Sequence, residues 1–130
     1  IPRRFRLFGD VKSTLRELKQ QGLTLGIITN LNQDMEGLLN ELGLDEIIDV
    51  TVTSSEAGVE KPHPSIFLCA LDKAGIIPQE AIHVGDQFFS DAQGAKAVGI
   101  KPVLIVRDFQ VSTDNEVKTI RTMGELLGII

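Results

Sequence analysis

The sequence predicts an α/β fold: a three-layer parallel sheet covered by helices on both faces. Short, nearly continuous apolar runs of strand length alternate with longer stretches of helical periodicity, the pattern of a parallel sheet buried on both sides. The helical stretches stop at glycine, which adopts the left-handed backbone past a helix end at little cost. The chain has 130 residues, 42% hydrophobic and 24% charged. That matches one ordinary globular domain over 1–130 and excludes a disordered, collagenous or coiled-coil protein.

The elements follow in order. A first helix spans 10–21, with Asp10 as N-cap, Val11, Leu15 and Leu18 facing inward, and Gly22 ending it. The run LTLGIIT at 23–29 is a buried strand. A second helix covers 33–42, presenting Met35, Leu38, Leu39 and Leu42 before Gly43. IIDVTVT at 47–53 is the next strand. Pro62 and Pro64 mark the start of a third helix, where a missing N–H is tolerated; it ends at Gly75 and turns Ile66, Phe67, Ala70, Leu71 and Ala74 inward. A short strand at 81–85, a short helix at 91–98 before Gly99, a strand at 102–106 and a closing helix at 122–127 complete the pattern. The polar stretch 107–118 reads as loop.

Charge and composition restrict the function. Eighteen acidic against 13 basic residues leave a net charge of −5, the wrong sign for a general nucleic-acid binder. No apolar run reaches the roughly 18 residues of a membrane span. The single cysteine, Cys69, excludes an internal disulfide or a multi-cysteine metal site and favours a reducing compartment, which we read as the cytoplasm.

In an open parallel sheet, ligands bind beyond the carboxyl ends of the strands, where helix N-termini also point. The first strand ends in Thr29-Asn30. The second ends in Thr53-Ser54-Ser55, with Lys61-Pro62 shortly after. The third ends in Gly85-Asp86, with Asp91 five residues on. A hydroxyl, an amide, an ammonium and two carboxylates would therefore share one edge. Such a set suits a phosphate and a hard divalent cation such as Mg²⁺. Gly85 would let backbone come close to whatever lies beside it.

Three segments, GIITN (26–30), EKPHPSIF (60–67) and HVGDQFFSDAQGAKAVGI (83–100), together resemble the second, third and fourth motifs of the haloacid dehalogenase-like hydrolases, in order and each on the matching element. The segment FGDVKSTLRELKQQG (8–22) resembles the helix by which that family's chain returns to the core after its helical cap. The resemblance implies a Rossmann-like core and phosphoryl transfer to an aspartate, followed by hydrolysis of the aspartyl-phosphate. It implies that Thr29 binds the transferring phosphoryl group with Asn30 beside it, that Lys61 stabilises the charge, and that Asp86 and Asp91 serve a Mg²⁺ site. The substrate class would be a small phosphorylated metabolite. Gly85-Asp86 favours this phosphatase chemistry over the family's metal-independent dehalogenases.

The family's first motif, D-x-D-x-[TV], is not present. The nearest string, DVKST at 10–14, has Lys12 where the second acid belongs and follows the basic stretch RRFR at 3–6. Asp10 therefore reads as a helix cap, and 3–6 as a solvated connection. In the family, the strand bearing the nucleophile lies between those ending at Thr29 and Asp86. The resemblance thus implies a core incomplete at its amino terminus, with a gap in the sheet. The first strand and cap would come from a preceding segment or another chain, and these 130 residues alone would not turn over substrate. Two rival readings are an inactive binding module that has lost the first motif and a receiver-like α/β domain; the late position of Asp86 and Asp91 disfavours the second. Of the remaining residues, His63 reads as a loop residue, His83 as a hydrogen-bonded, partly buried strand histidine, Cys69 as inert packing and Phe88-Phe89 as packing.

Overall fold

The structure, a computed structural model, describes residues 9–31, 34–108 and 117–130. The predicted start of the second helix at Gln33, the basic stretch at 3–6 and most of the 107–118 loop lie outside these. The elements are helix α1 (Val11–Gln20), strand β1 (Gly26–Thr29), α2 (Met35–Leu42), β2 (Val50–Thr53), a helical turn α3 (Ser54–Ala57), α4 (Pro64–Ala74) and β3 (Ile82–Gly85). A π-helical turn (Phe88–Gln93) then leads into α5 (Gly94–Ala97), β4 (Lys101–Ile105), β5 (Lys118–Ile120) and a closing 3₁₀ turn (Met123–Gly128).

Among the described residues all strand pairings are parallel, but they form two separate sheets. In one, β1 runs beside β2 with Ile28 opposite Val52. In the other, β4 lies between β3 and β5, with Val84 opposite Val103 and Leu104 opposite Thr119. Among the described residues no strand joins β1 to β3. The gap expected between the strand ending at Thr29 and the strand ending before Asp86 is present. It is a largely apolar cleft of about 600 Å³, with Leu25, Ile27 and Ile28 on one bank and Ile82, Val84 and Gly85 on the other.

The period-two alternation of strand side chains builds three layers. On one side Ile28, Val50 and Val52 pack under α4 through Ile66, Phe67 and Leu71, with Ala95 and Ile100 completing the cluster. On the other, Leu25 and Ile27 meet Met35 and Leu39 of α2. There Val103 and Ile120 meet Leu18 of α1 and Leu126 of the closing turn. Gly43 and Gly75, each with φ near 70°, end α2 and α4 in the left-handed conformation, as the glycine punctuation predicts.

Four sequence expectations need correction. The strands at 23–29 and 47–53 are shorter than their apolar runs, because Ile47 and Ile48 fold back in a turn on the Leu44 carbonyl and Ile47 serves the core instead of a ladder. Asp10 precedes α1, but its carboxylate makes no cap hydrogen bond. It accepts instead from the Met123 N–H at 2.6 Å and pairs with Arg107 at 3.1 Å, tying α1 to the carboxy-terminal turn. The closing element is 3₁₀ rather than α, set by Glu125, whose carboxylate accepts from the N–H groups of Arg121 and Thr122. Lys118, assigned to loop, begins β5.

Gly94 shows how tightly α5 sits. A Cβ there would lie 2.7 and 2.9 Å from the Phe67 ring and 3.1 Å from the Pro62 Cα. Helix propensity alone favours alanine by about 1 kcal/mol. Phe67 is fully buried and Pro62 is backbone there, so neither can yield, and overpacking costs about 1–3 kcal/mol. Gly94→Ala is expected to lower the urea midpoint at unchanged slope, whereas a raised midpoint would show that propensity prevails.

Candidate active site

The site is built where β1, β3 and the loop before α4 come together at the carboxyl ends of the strands. Thr29 ends β1, and its Oγ1 accepts from the Leu31 N–H at 3.0 Å, shaping the turn that follows. Asn30 acts differently from a simple neighbour of Thr29. Its Oδ1 accepts from the Lys61 backbone N–H at 2.8 Å, and its Nδ2 donates to the Lys61 carbonyl at 3.5 Å. Its own carbonyl accepts from the Ser54 hydroxyl at 3.0 Å. The amide thus fixes the backbone from which the Lys61 side chain departs. His63, read as a loop residue, caps α4: its Nδ1 accepts from the Ser65 N–H at 3.1 Å.

Lys61 reaches inward to Asp91. Its Nζ lies 2.7 Å from Asp91 Oδ1, with side-chain exposures of 14% and 5%. The same oxygen is 3.0 Å from His83 Nε2, while Oδ2 accepts from the Gln87 N–H at 3.2 Å. Burial raises the carboxyl pKa, but hydrogen bonds from His83 and Lys61, together with the Lys61 charge, outweigh it and hold Asp91 well below the usual carboxylate range. Asp91 is therefore ionised, and its bonds make it a rigid acceptor.

The π-helical turn delivers Asp91 to this position. The Gln87 carbonyl accepts from both Asp91 N–H at 2.9 Å and Ala92 N–H at 3.2 Å, the latter a five-residue closure. Gly85 permits the approach: a Cβ there would fall 2.1 Å from Asp91 Cγ and 2.3 Å from Oδ2. What comes close at Gly85 is thus the Asp91 carboxylate. Asp86, one residue on, is exposed.

Lys61, Asp86 and Asp91 line the cleft; Asn30 is tied to the Lys61 backbone, and Thr29 ends β1, whose Ile27 and Ile28 form one bank. His83 is hydrogen-bonded and partly buried, as the sequence predicts, but the sequence reading did not place it in the site. Its signal was available: residues two apart in a strand share a face, so the face on which Gly85 admits Asp91 is also that of His83. Among the described residues no group of three or more His, Cys, Asp and Glu could enclose a metal. Two hard carboxylates at one strand end nevertheless suit Mg²⁺, which is commonly held by one or two carboxylates with water and substrate phosphate completing the shell. Asp86 and the second lone pairs of Asp91 Oδ2 would be the donors.

A profile of the haloacid dehalogenase-like hydrolases matches residues 3–105. The chain belongs to this family. It is 42% identical over 105 residues to human haloacid dehalogenase-like hydrolase domain-containing protein 3, covering 81% of this chain and 42% of that protein. It is 36% identical over 135 residues to ribulose-1,5-bisphosphate 5-phosphatase of Halopiger xanaduensis, covering 95% and 56%. Among solved structures, the HAD phosphatase from Thermococcus onnurineus superposes with a TM-score of 0.87 at 34% identity, covering 95% of this chain and 57% of that one. The chain therefore spans about half the length of these relatives. No described helix is long and apolar enough to cross a membrane.

The Asp91 environment generates a pH dependence. An unfolded aspartate titrates near 3.9, and the folded one titrates lower. The folded state thus binds fewer protons, and Asp91 contributes stability above about pH 4 that is lost as the pH falls further. Acid denaturation should show the wild type losing stability more steeply than Asp91→Asn in that range; parallel curves would contradict the assignment. Gly85→Ala should displace the carboxylate and lower the unfolding free energy by about 1–3 kcal/mol, read as a lower urea midpoint at unchanged slope.

Proposed function

We propose that this chain supplies the phosphate- and Mg²⁺-binding side of a phosphomonoester hydrolase that works through an aspartyl-phosphate. The observation that carries the reading is the placement of the buried Lys61–Asp91 pair at the head of a cleft between two open strand edges. Thr29 at the end of β1 would donate to a phosphoryl oxygen, and the Lys61 ammonium would neutralise charge shared between phosphate and nucleophile. Asn30 would hold the Lys61 backbone in place while this happens. Asp86 and Asp91 would hold Mg²⁺. When bound, the ion would draw charge from the phosphoryl oxygens.

The sequence contains no D-x-D-x-[TV] string, so the nucleophile in this proposal comes on an extended segment outside these residues, from the same protein or another chain. The cleft supports this reading: both banks are open strand edges, and its walls are apolar, as a central parallel strand requires. The 130 residues alone would then be inactive. The name of the Halopiger relative supports a small phosphorylated sugar as the substrate class. The missing string also supports a second reading, a module that binds phosphate without turnover.

The test uses the full-length protein with p-nitrophenyl phosphate. Asp86→Ala is expected to reduce kcat/KM by about two to three orders of magnitude, the scale on which one electrostatic contact to the transition state acts. Chelation should abolish turnover and added Mg²⁺ restore it. Activity indifferent to both would overturn the phosphatase reading. Phosphate binding without any turnover would favour the binding module.

A further inference from the structure

We infer that His83 is a positioning residue for this reaction, acting on Lys61 through Asp91; the inference rests on the phosphatase reading above. The Lys61 backbone is fixed by Asn30, but four side-chain torsions separate it from the ammonium. At its far end, among the described residues, the ammonium is located by one partner, Asp91 Oδ1 at 2.7 Å. The precision of Lys61 is thus no better than that of the Asp91 carboxylate.

His83 sets that precision. Its Nε2 lies 3.0 Å from the same Oδ1. An ionised carboxylate only accepts, so Nε2 carries the proton and donates. Without it, Asp91 would keep the Gln87 N–H on Oδ2 and the mobile lysine on Oδ1, leaving the carboxylate free to rock about its Cβ–Cγ bond. The imidazole is itself held: its ring stands edge-on to Phe67, with centroids 5.2 Å apart and planes at 88°, and Phe67 is fully buried under α4. A fixed core ring therefore sets a strand histidine, the histidine sets a carboxylate, and the carboxylate sets the ammonium. An ångström of misplacement at a reacting centre can cost about a hundredfold in rate.

A histidine that merely packed against Phe67 would be replaceable by phenylalanine, whereas one that acts by donation would be replaceable by glutamine, whose Nε2 sits at similar reach. The experiment compares His83→Phe and His83→Gln with wild type in the full-length protein. One readout is independent of turnover: the ¹H–¹⁵N signal of the Lys61 ammonium, which its buried ion pair protects from exchange. His83→Phe is expected to lose this signal and to lower kcat by about 10- to 100-fold, the usual loss on removing a partner that orients a site carboxylate, at unchanged KM. His83→Gln should retain the signal and most of kcat. A His83→Phe protein that keeps both signal and kcat overturns the inference. So does a neutral wild-type imidazole protonated on Nδ1, read from its long-range ¹H–¹⁵N correlations, which needs no variant to fold. Absence of phosphatase activity in the wild type would instead defeat the proposed function, and the ammonium signal would still decide whether His83 positions Lys61.

Discussion

The buried ion pair between Lys61 and Asp91 is the interaction on which the rest of the site depends. The ladder hydrogen bonds that unite a continuous sheet do not connect β1 to β3. At the carboxyl edge the two sheets are joined instead by side chains, from Asn30 to the Lys61 backbone, and from the Lys61 ammonium to Asp91, whose same oxygen also meets His83. Beneath them Phe67 touches both sides, packing with Val52 of one sheet and His83 of the other. A buried ion pair adds little net stability compared with apolar packing of the same volume, but losing one partner leaves a stranded charge and costs about 3–5 kcal/mol. Its value here is geometric: it holds an ammonium and a carboxylate at fixed positions beside the cleft.

The layered fold was legible because burial on both faces forces long apolar runs onto strands and a 3.6-residue stripe onto helices. The positions of Thr29 and Asp86 at strand ends, and of Lys61 and Asp91 close to them, were legible because strand ends and helix starts gather polar groups at one edge. The bonds of Asn30 to the Lys61 backbone were not legible, since an amide is equally suited to a ligand or to a neighbouring backbone. The details that escaped the sequence were set by tertiary contacts. Ile47 and Ile48 have strand-like side chains, but a turn after Leu44 uses them. Asp10 has the chemistry of a cap, yet Met123 and Arg107, more than ninety residues away in sequence, compete for its carboxylate and win. His83 looked like an ordinary core histidine because its partner, eight residues on, reaches it only through the wide turn between them.

That turn carries a consequence for how this stretch of chain can vary in length. An α-helical turn closes four residues back; here Gln87 is met five residues on by Ala92. The extra residue sets the angular phase of all that follows, each residue of a helix advancing about 100°. Removing one residue between Asp86 and Asp91 would close the wide turn to an α-turn, so the end of β3 and the stretch from Asp91 into α5 could not both keep their present positions. The spacing between the two aspartates is therefore a counted length, as binding on the chemistry as the identity of either acid.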